Sequence, residues 1–305
     1  MSGTKAFTDT QTSERILLHP NVSAKKSTKN KSKKILLYIV HTVLAFVILF
    51  PLFFAIVSSF RPLEEIFKYV SPISWKTFIP TQITLDAYIN LFTERGFGKI
   101  FFNTLYVAIL SVVFSIPINS MAAFAFAKFE FKGKSVLFVI VLITFMIPFE
   151  VISIPLYSLV DQLGWIDSYY ALIVPGLANG LVIFLYRQFF MDLPNSLMES
   201  ARIDGASWWT IYWKIIMPLC KPVTVSASLL IFVFQWESFM WPLIATRSDN
   251  YKVIQVAMSD FVTEHATFWN EMFAASVLST IVPVILILTL QRYFVQGIVG
   301  TGSKE

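Results

Sequence analysis

The sequence predicts an all-α integral membrane protein with six transmembrane helices. Of its 305 residues, 56% are hydrophobic and only 14% are charged, whereas soluble domains average about 25% charged residues. The apolar residues are gathered into segments long enough to cross a hydrocarbon core of ~30 Å at a helical rise of about 1.5 Å per residue. A single cysteine, Cys220, excludes a disulfide framework within the chain.

The predicted helices follow from the apolar segments in chain order. The first segment carries no Lys, Arg, Asp or Glu. The third contains Pro148 and Pro155, which are tolerated inside spans when neighbouring helices satisfy the freed backbone groups. The fourth contains Gly176 and Gly180 in a G-x-x-x-G spacing, which predicts a close helix–helix contact. The predicted spans are 35–60, 101–127, 135–157, 170–189, 223–245 and 271–291.

The predicted membrane domain comprises residues 35–291, and the basic residues of its loops and of the two flanking tails predict its orientation. Residues 1–34 are basic and rich in Ser, Thr, Lys and Asn, which predicts a disordered tail; residues 292–305 form the second tail. Lys and Arg number 17 on the side of both termini and of loop 192–222, and 7 on the opposite side. The positive-inside rule therefore predicts that both termini and this loop are cytoplasmic. The same clustering makes nucleic acid the poorer explanation of the net charge of +5.

Residues 192–222 form a polar island between the fourth and fifth predicted spans. Asp204-Gly205 predicts a break between two short helices, because glycine readily adopts the positive φ that ends a helix. Ser207 is a suitable N-cap for the second helix. Pro218 and Pro222 are expected to end that helix before the chain re-enters the membrane.

This island resembles the E-A-A loop of ABC-importer permeases, whose pattern runs E-A-A-x-x-D-G-A-S and continues to P-L-x-x-P. The one departure is Ser200, where alanine is usual. The resemblance implies that the loop is a coupling helix that docks in a groove of a separate ATPase subunit, with Glu199 as its charged anchor. The residues that fit the pattern are Glu199, Ala201, Asp204, Gly205, Ala206, Ser207, Pro218, Leu219 and Pro222.

Other segments resemble the smaller permease subunit of maltose-type carbohydrate importers. They include A-F-A-F-A-K at 123–128, M-I-P at 146–148 and F-Q-W-E-S-F-M-W-P-L at 234–243, where Glu237 replaces the usual asparagine. The resemblance covers residues 35–305 and implies the type I ABC importer fold, working by alternating access in the plasma membrane of a bacterium or archaeon. The implied partners are a cytoplasmic ATPase dimer, a second permease subunit in a hetero- or homodimer, and an extracytoplasmic solute-binding protein that delivers a sugar.

Catalysis within this chain is not expected. The sequence carries no phosphate-binding glycine loop with a Walker lysine and no H-E-x-x-H zinc pair, and its three histidines are scattered. No catalytic residue, metal or cofactor is therefore predicted. The resemblance implies that ATP and Mg²⁺ are bound by the partner ATPase.

Polar residues deep in the predicted spans are candidates for a translocation path. Counted from the outer ends of their spans, Glu150, Asn179 and Glu237 lie about 10–13 Å deep, and polar groups at such depth rarely face lipid. We expect them to line the path together with Gln235 and Trp236, since an indole ring suits stacking on a sugar. Buried hydrogen bonding between helices is the alternative that the sequence leaves open.

Three other functions compete with that of a carbohydrate permease. An ABC permease for another organic solute, such as a polyol, an amino sugar or a glycerol phosphate, stays open. A secondary transporter would show coupling-ion residues at mid-membrane and often inverted halves, and no internal repeat is evident. A membrane scaffold protein would not explain the E-S-A-R-I-D-G-A-S spacing.

Overall fold

The computed structural model describes residues 28–262 and 267–299, with side chains for 33–262 and 267–291. Within these ranges every regular element is helical, apart from one isolated bridge between Val262 and Thr267, and the predicted all-α class is confirmed. The expectations for residues 1–27 and 300–305 lie outside the described residues. The helices are α1 Thr28–Ser59, α2 Asp86–Thr93, α3 Phe97–Lys128, α4 Lys134–Met146, α5 Phe149–Gln162, α6 Tyr169–Ile173, α7 Gly180–Asp192, α8 Asn195–Ile203, α9 Trp208–Ile211, α10 Met217–Leu219, α11 Lys221–Trp236, α12 Met240–Ala245, α13 Ile254–Ser259 and α14 Trp269–Val299.

The chain forms two units, residues 1–50 and 51–305. The first unit holds most of α1, which begins at Thr28 and therefore includes residues that were predicted to belong to the polar tail. Lysine is a good helix former, which explains why the helix extends into this lysine-rich stretch. Within the unit, the rings of Phe46 and Phe50 lie 6.0 Å apart.

Within the described residues, three helical stretches are long and apolar enough to cross a membrane: Lys33–Ser59 of α1, the whole of α3, and Trp269–Gln291 of α14. Three further candidates are pairs of helices joined at a bend, which gives up to six candidate spans. The pairs are α4 with α5 at 100°, Tyr169–Gly176 with α7 at 42°, and Trp208–Leu219 with α11 at 83°.

Three of the predicted continuous spans are broken in the structure. The stretch 170–189 is interrupted between Gly176 and Gly180, where two helical segments meet at 42°. The stretch 135–157 is interrupted at Ile147 and Pro148, because proline lacks a backbone donor and disfavours helical geometry at the residue before it; Ile147 accordingly has an extended ψ of 123°. The stretch 223–245 is interrupted at residues 237–239, which lie between the end of α11 and the start of α12. Hydropathy reports which residues are apolar and does not report where the helix axis turns.

Helix α3 is the central helix of the second unit, since it contacts both α7 and α11. One buried cluster lies around Phe124, Tyr186 and Tyr212, where α3 and α7 meet the chain that leads into α11. A second buried cluster lies around Phe97 and Trp236, against α2 and α14. The two clusters place an apolar core along the length of α3.

The G-x-x-x-G pair has one close-packed member. A Cβ atom on Gly180 would lie 2.6 Å from the backbone oxygen of Val141 and 3.1 Å from Oγ1 of Thr144, so α4 and α7 touch through this glycine. At Gly176 the nearest atom would be Oε1 of Gln235 at 3.9 Å, which is an ordinary contact. The predicted close helix contact is confirmed at Gly180 and wrong at Gly176, which borders a cavity.

Replacing Gly180 with alanine is expected to lower the stability of the purified protein by about 1–3 kcal/mol, because the added methyl group must push α4 away from α7. The measurement is the thermal unfolding midpoint in detergent. Gly176→Ala is the matched control and should keep the wild-type midpoint. Equal midpoints for the two variants would contradict the close contact between α4 and α7.

Candidate functional site: a helical elbow and a polar cavity

Residues 195–219 form two short helical stretches joined at a sharp turn, which we call the elbow. The turn is at Gly205, whose φ of 85° is in the left-handed region that favours glycine. Nothing lies within 4 Å of a Cβ at this position, so the glycine is required by the backbone and not by lack of space. Its N–H donates to Arg202 O at 3.0 Å, and Ser207 Oγ accepts from the N–H of Thr210 at 3.1 Å. The predicted break and the predicted N-cap are both confirmed.

The end of the elbow differs from the expectation. After α9 the chain makes a π-helical turn over Tyr212–Ile216 and then continues through α10, which contains Pro218. The sharp bend comes at Cys220, and Pro222 lies in the first turn of α11. Proline is well tolerated there because the first helical N–H groups have no partner within the helix. Pro222 therefore lies in the start of α11 and does not end the helix before it. Pro218 lies inside α10 and does not end that helix either.

The start of the elbow is fastened to the end of α3. Lys128 Nζ donates to Leu193 O at 2.7 Å and to Asn195 Oδ1 at 2.9 Å. On the same side, Met198 and Ala201 of α8 are buried in the cluster that contains Phe124. A displacement of α8 would therefore act directly on this end of α3.

A second contact joins the elbow to α3 at Tyr212. This side chain is buried, and its hydroxyl lies 2.6 Å from Ser120 Oγ. Because the Ser120 hydroxyl is also within hydrogen-bonding distance of Ile116 O, at 2.5 Å, Tyr212 acts as the donor to Ser120. Tyr212 opens the π-helical turn, a rare element that is frequent at functional sites.

The outer side of the elbow presents a mixed surface to solvent. Glu199, Ser200, Asp204, Gly205, Ser207 and Pro218 are exposed, Ala206 is half-buried, and Ala201 is buried. Ile203 is 86% exposed and Trp209 is 62% exposed. In the part of the chain that the structure describes, Glu199 has no ion-pair partner. A carboxylate beside exposed apolar side chains is typical of a protein interaction site.

Three helix interruptions border one cavity of about 480 Å³. They are the break before α5, the break between α6 and α7, and the break between α11 and α12. Non-helical backbone at membrane depth is tolerated only where protein buries it or where it lines a water-filled cavity. The described residues contain no group of three or more His, Cys, Asp or Glu side chains that could hold a metal ion. The cavity wall includes Phe149, Leu172, Asn179, Gln235, Glu237, Ser238 and Trp241.

Asn119 and Ser115 of α3 form hydrogen bonds with the backbone groups at the break between α6 and α7. Leu177 O accepts from Asn119 Nδ2 at 2.7 Å and from Ser115 Oγ at 2.8 Å. Asn119 Oδ1 accepts from the backbone N–H of Asn179 at 2.7 Å. Neither side chain was among the predicted site residues, although an asparagine in the middle of an apolar span was a signal that could have found it.

The structure brings three of the five predicted path residues to the cavity: Asn179, Gln235 and Glu237. Asn179 also caps α7, because its Oδ1 accepts from Leu181 N at 3.0 Å and from Val182 N at 3.1 Å. Gln235 Nε2 donates to Leu172 O at 3.1 Å. Glu237 follows the last residue of α11 and is exposed.

Trp236 and Glu150 do not line the cavity. Trp236 is 2% exposed, donates its indole N–H to Ser279 O at 3.1 Å, and packs against the rings of Phe101 and Phe232. Trp236 lies between two residues that line the cavity and yet points away from it, because consecutive helical residues point in directions about 100° apart. Glu150 is exposed on the first turn of α5. The ring that reaches the cavity from α12 is that of Trp241.

Asp167, which the sequence did not single out, ties the loop before α6 to the segment after α12. Its Oδ1 accepts from the backbone N–H groups of Ser248 and Arg247, both at 2.9 Å, and from Ser248 Oγ at 3.1 Å. These donors hold the pKa of Asp167 below its usual range, with the two backbone N–H groups as the main cause. The loop is thereby held against the helix that supplies Trp241 to the cavity.

Up to six candidate spans among the described residues, an exposed elbow and a polar cavity at three helix breaks are the features of a membrane transport component. The chain belongs to the family described as "Binding-protein-dependent transport system inner membrane component", whose model matches residues 115–300. It is thus a transport component of the membrane, as the sequence predicted.

The relatives of the chain include named permeases. It is 35% identical over 270 residues to "Arabinooligosaccharides transport system permease protein AraQ" of Halalkalibacterium halodurans, covering 88% of this chain and 96% of that protein. It is 31% identical over 259 residues to "sn-glycerol-3-phosphate transport system permease protein UgpE" of Rhizobium meliloti, covering 84% of this chain and 92% of that protein.

Two solved structures share the fold. A bacterial ABC transporter involved in the import of the acidic polysaccharide alginate matches with a TM-score of 0.76 at 23% identity, over 88% of this chain and 98% of that chain. A bacterial alginate ABC transporter in complex with an alginate pentasaccharide-bound periplasmic protein matches with a TM-score of 0.61 at 18% identity, over 86% and 94%. The predicted type I ABC importer permease fold is confirmed.

The contact between Tyr212 and Ser120 predicts a coupled pair of substitutions. Tyr212→Phe and Ser120→Ala should each lower stability by about 0.5–1.5 kcal/mol, the usual net contribution of one hydrogen bond. The double variant should lose little more than either single variant, because both remove the same interaction. Thermal midpoints of the four purified proteins test this. Additive losses would show that the two hydroxyl groups do not interact.

Proposed function

We propose that this chain is a transmembrane permease subunit of an ATP-driven importer, which moves a carbohydrate by alternating access. The observation that carries the proposal is the elbow. Its Gly205 turn fits the D-G-A-S pattern of ABC-importer permeases, its outer side is exposed, and its inner side is fastened to α3. A loop of this form can transmit the movement of a separate subunit to α3.

The elbow would dock in a groove of a cytoplasmic ATPase dimer. Ile203 and Trp209 supply exposed apolar surface for this contact, since they are 86% and 62% exposed, and exposed apolar patches rimmed by polar groups mark interaction sites. Glu199 supplies a carboxylate for a basic residue of the ATPase, where a charged pair fixes orientation more than it adds affinity. The positive-inside count supports a cytoplasmic position for this surface.

The contacts of α3 provide a route from the elbow to the cavity. When the ATPase closes on ATP, displacement of the elbow would pull on α3 through Lys128 and Tyr212. The same helix holds the break between α6 and α7 through Asn119. A rigid helix that contacts both sites can bias the cavity between its inward-facing and outward-facing forms.

A carbohydrate suits the composition of the cavity wall. Aromatic faces at Phe149 and Trp241 stand beside amide groups at Asn179 and Gln235, and a few polar groups in a mostly apolar pocket fix the orientation of a ligand. The named relatives include a permease for arabinooligosaccharides. A permease for a glycerol phosphate is the second candidate, because a relative of similar identity carries that name; a polyol or an amino sugar would fit the same wall.

The remaining partners follow from the family description. A binding-protein-dependent system needs an extracytoplasmic solute-binding protein, and a second permease subunit, identical or different, would complete the pore. This chain would bind no cofactor itself, since ATP and Mg²⁺ would be held by the ATPase subunits. A secondary transporter is disfavoured, because it would leave the exposed elbow without a purpose.

Gly205→Val is expected to uncouple ATP hydrolysis from uptake, and uptake should fall at least about tenfold because valine is strongly disfavoured at positive φ. The straightened elbow should also weaken retention of the ATPase during purification, while membrane insertion stays normal. The measurements are ATP-driven solute uptake in reconstituted vesicles and the amount of ATPase that co-purifies.

Two control variants test whether the effect of Gly205→Val comes from backbone strain at this position. Gly205→Asn should retain most activity, because asparagine tolerates the left-handed region. Ser200→Ala, which restores the usual alanine on the exposed side, should leave uptake unchanged. If Gly205→Val transported solute and retained its ATPase normally, the elbow would not be the coupling element.

A further inference from the structure

We propose that Glu237 makes the cavity selective for neutral or cationic saccharides against anionic ones. The inference rests on the proposed function, since it names the cargo of the same site. Its basis is the charge of the wall: among the residues that the structure describes, Glu237 is the one ionisable side chain that lines the cavity, and no Lys, Arg or His lines it. A cavity lined by one sign of charge repels solutes of that sign.

The position of Glu237 keeps this charge uncompensated. The residue caps the C-terminus of α11, where its N–H donates to Val233 O at 2.9 Å. The helix dipole is negative at this end and favours a cation, so a carboxylate here meets an unfavourable local field. In the described part of the chain, Glu237 forms no ion pair. Nothing in the cavity wall offsets its charge.

The two cations in the segment after α12 have partners outside the cavity: Lys252 pairs with Asp249 and Asp260, and Arg247 has the following contacts. Arg247 Nη2 donates to the hydroxyl of Tyr157 at 2.7 Å and lies 3.9 Å from Asp161 Oδ1. These partners raise the pKa of Arg247, with the Tyr157 hydrogen bond as the main cause. The guanidinium group is therefore held at the loop and does not neutralise the cavity.

The other polar groups of the wall are neutral and suit sugar hydroxyls. Asn179 uses its Oδ1 to cap α7, which leaves its Nδ2 group available as a donor. Gln235 donates one N–H to Leu172 O, which leaves its Oε1 as an acceptor. A hydroxyl that donates to Glu237 makes a charge-assisted hydrogen bond, which is stronger than a neutral one. A phosphate or uronate group is anionic near neutral pH and finds no cation among the described residues of the wall.

Family membership does not decide the charge of the cargo. The named relatives include permeases for arabinooligosaccharides, which are neutral, and for sn-glycerol-3-phosphate, which is anionic. The alginate importer with the same fold acts on an acidic polysaccharide. Specificity often comes from a repulsive group placed against the wrong ligand. Glu237 is such a group, and it assigns this chain to the neutral or cationic cargoes.

The first test measures the electrostatic field of the cavity without a substrate. Ser238→Cys places a thiol in the wall, while the native Cys220 is buried. The assembled transporter is treated with cationic and anionic methanethiosulfonate reagents of similar size, and the ratio of their rates is compared with that for a free thiol. The cationic reagent should be favoured at least about tenfold, and adding Glu237→Gln should remove most of this preference.

Glu150→Gln is the matched control, because Glu150 is exposed and does not line the cavity. It should leave the rate ratio unchanged. Transporter that lacks the Ser238→Cys substitution is treated with the same reagents and gives the background rate of labelling. A ratio that equals that of the free thiol, or one that Glu237→Gln does not alter, overturns the proposal whether or not the protein transports solute.

The second test measures selectivity in vesicles that contain the complete transporter. The probes are arabinotriose, glucosamine, sn-glycerol-3-phosphate and an alginate trisaccharide. Glu237→Lys should raise the rate ratio of anionic to neutral uptake at least about tenfold relative to wild type. ATP-driven uptake with an unchanged ratio overturns the inference alone, whereas wild-type vesicles that accumulate none of the probes with ATP overturn the proposed function as well.

Discussion

The structure depends on one constraint: a backbone group left free inside the membrane costs several kcal/mol, so each helix break must be supported by other parts of the protein. The break between α6 and α7 meets this constraint through α3. Asn119 donates to Leu177 O and accepts from Asn179 N, while Ser115 adds a second donor. The amide side chain replaces the helical partners that the break removes. A polar cavity can exist at this depth because the irregular backbone around it is satisfied.

The same helix joins the cavity to the elbow. At its end, Lys128 holds the start of the elbow, and between the two sites Ser120 receives the hydroxyl of Tyr212. Asn119 and Ser120 are adjacent in sequence, so the support of the break and the contact with the elbow lie at one level of α3. A shift of the elbow by a fraction of a helical turn would therefore reach the break without crossing a flexible segment. Packed elements of this kind switch between discrete arrangements instead of deforming continuously.

Sequence reasoning succeeded where a local rule decides the geometry. The turn at Gly205 and the cap at Ser207 follow from the backbone preferences of single residues, and both were predicted correctly. It failed where the answer depends on direction around a helix. Trp236 was expected beside Glu237 because an indole ring suits stacking on a sugar, yet the indole packs in the core and the carboxylate lines the cavity. The role of Asn119 also needed the structure, because its partners at Leu177 and Asn179 belong to a distant segment.

The two parts of the site are constrained to different degrees, and this difference explains how one architecture can serve several cargoes. At Gly205 the backbone requires a positive φ, which few residues tolerate, so the elbow must keep its chemistry to keep its shape. Glu237 lies just beyond the last residue of α11, with a φ of −90°, a ψ of 0° and an exposed side chain. Its φ is negative, so the backbone there does not require glycine. This chain carries a carboxylate at a position where asparagine is usual in the family. The carboxylate changes the charge of the cavity, and it lies apart from the contacts between α3 and the elbow. If the two proposals hold, selectivity changes at Glu237 while the elbow and its contacts with α3 remain the same.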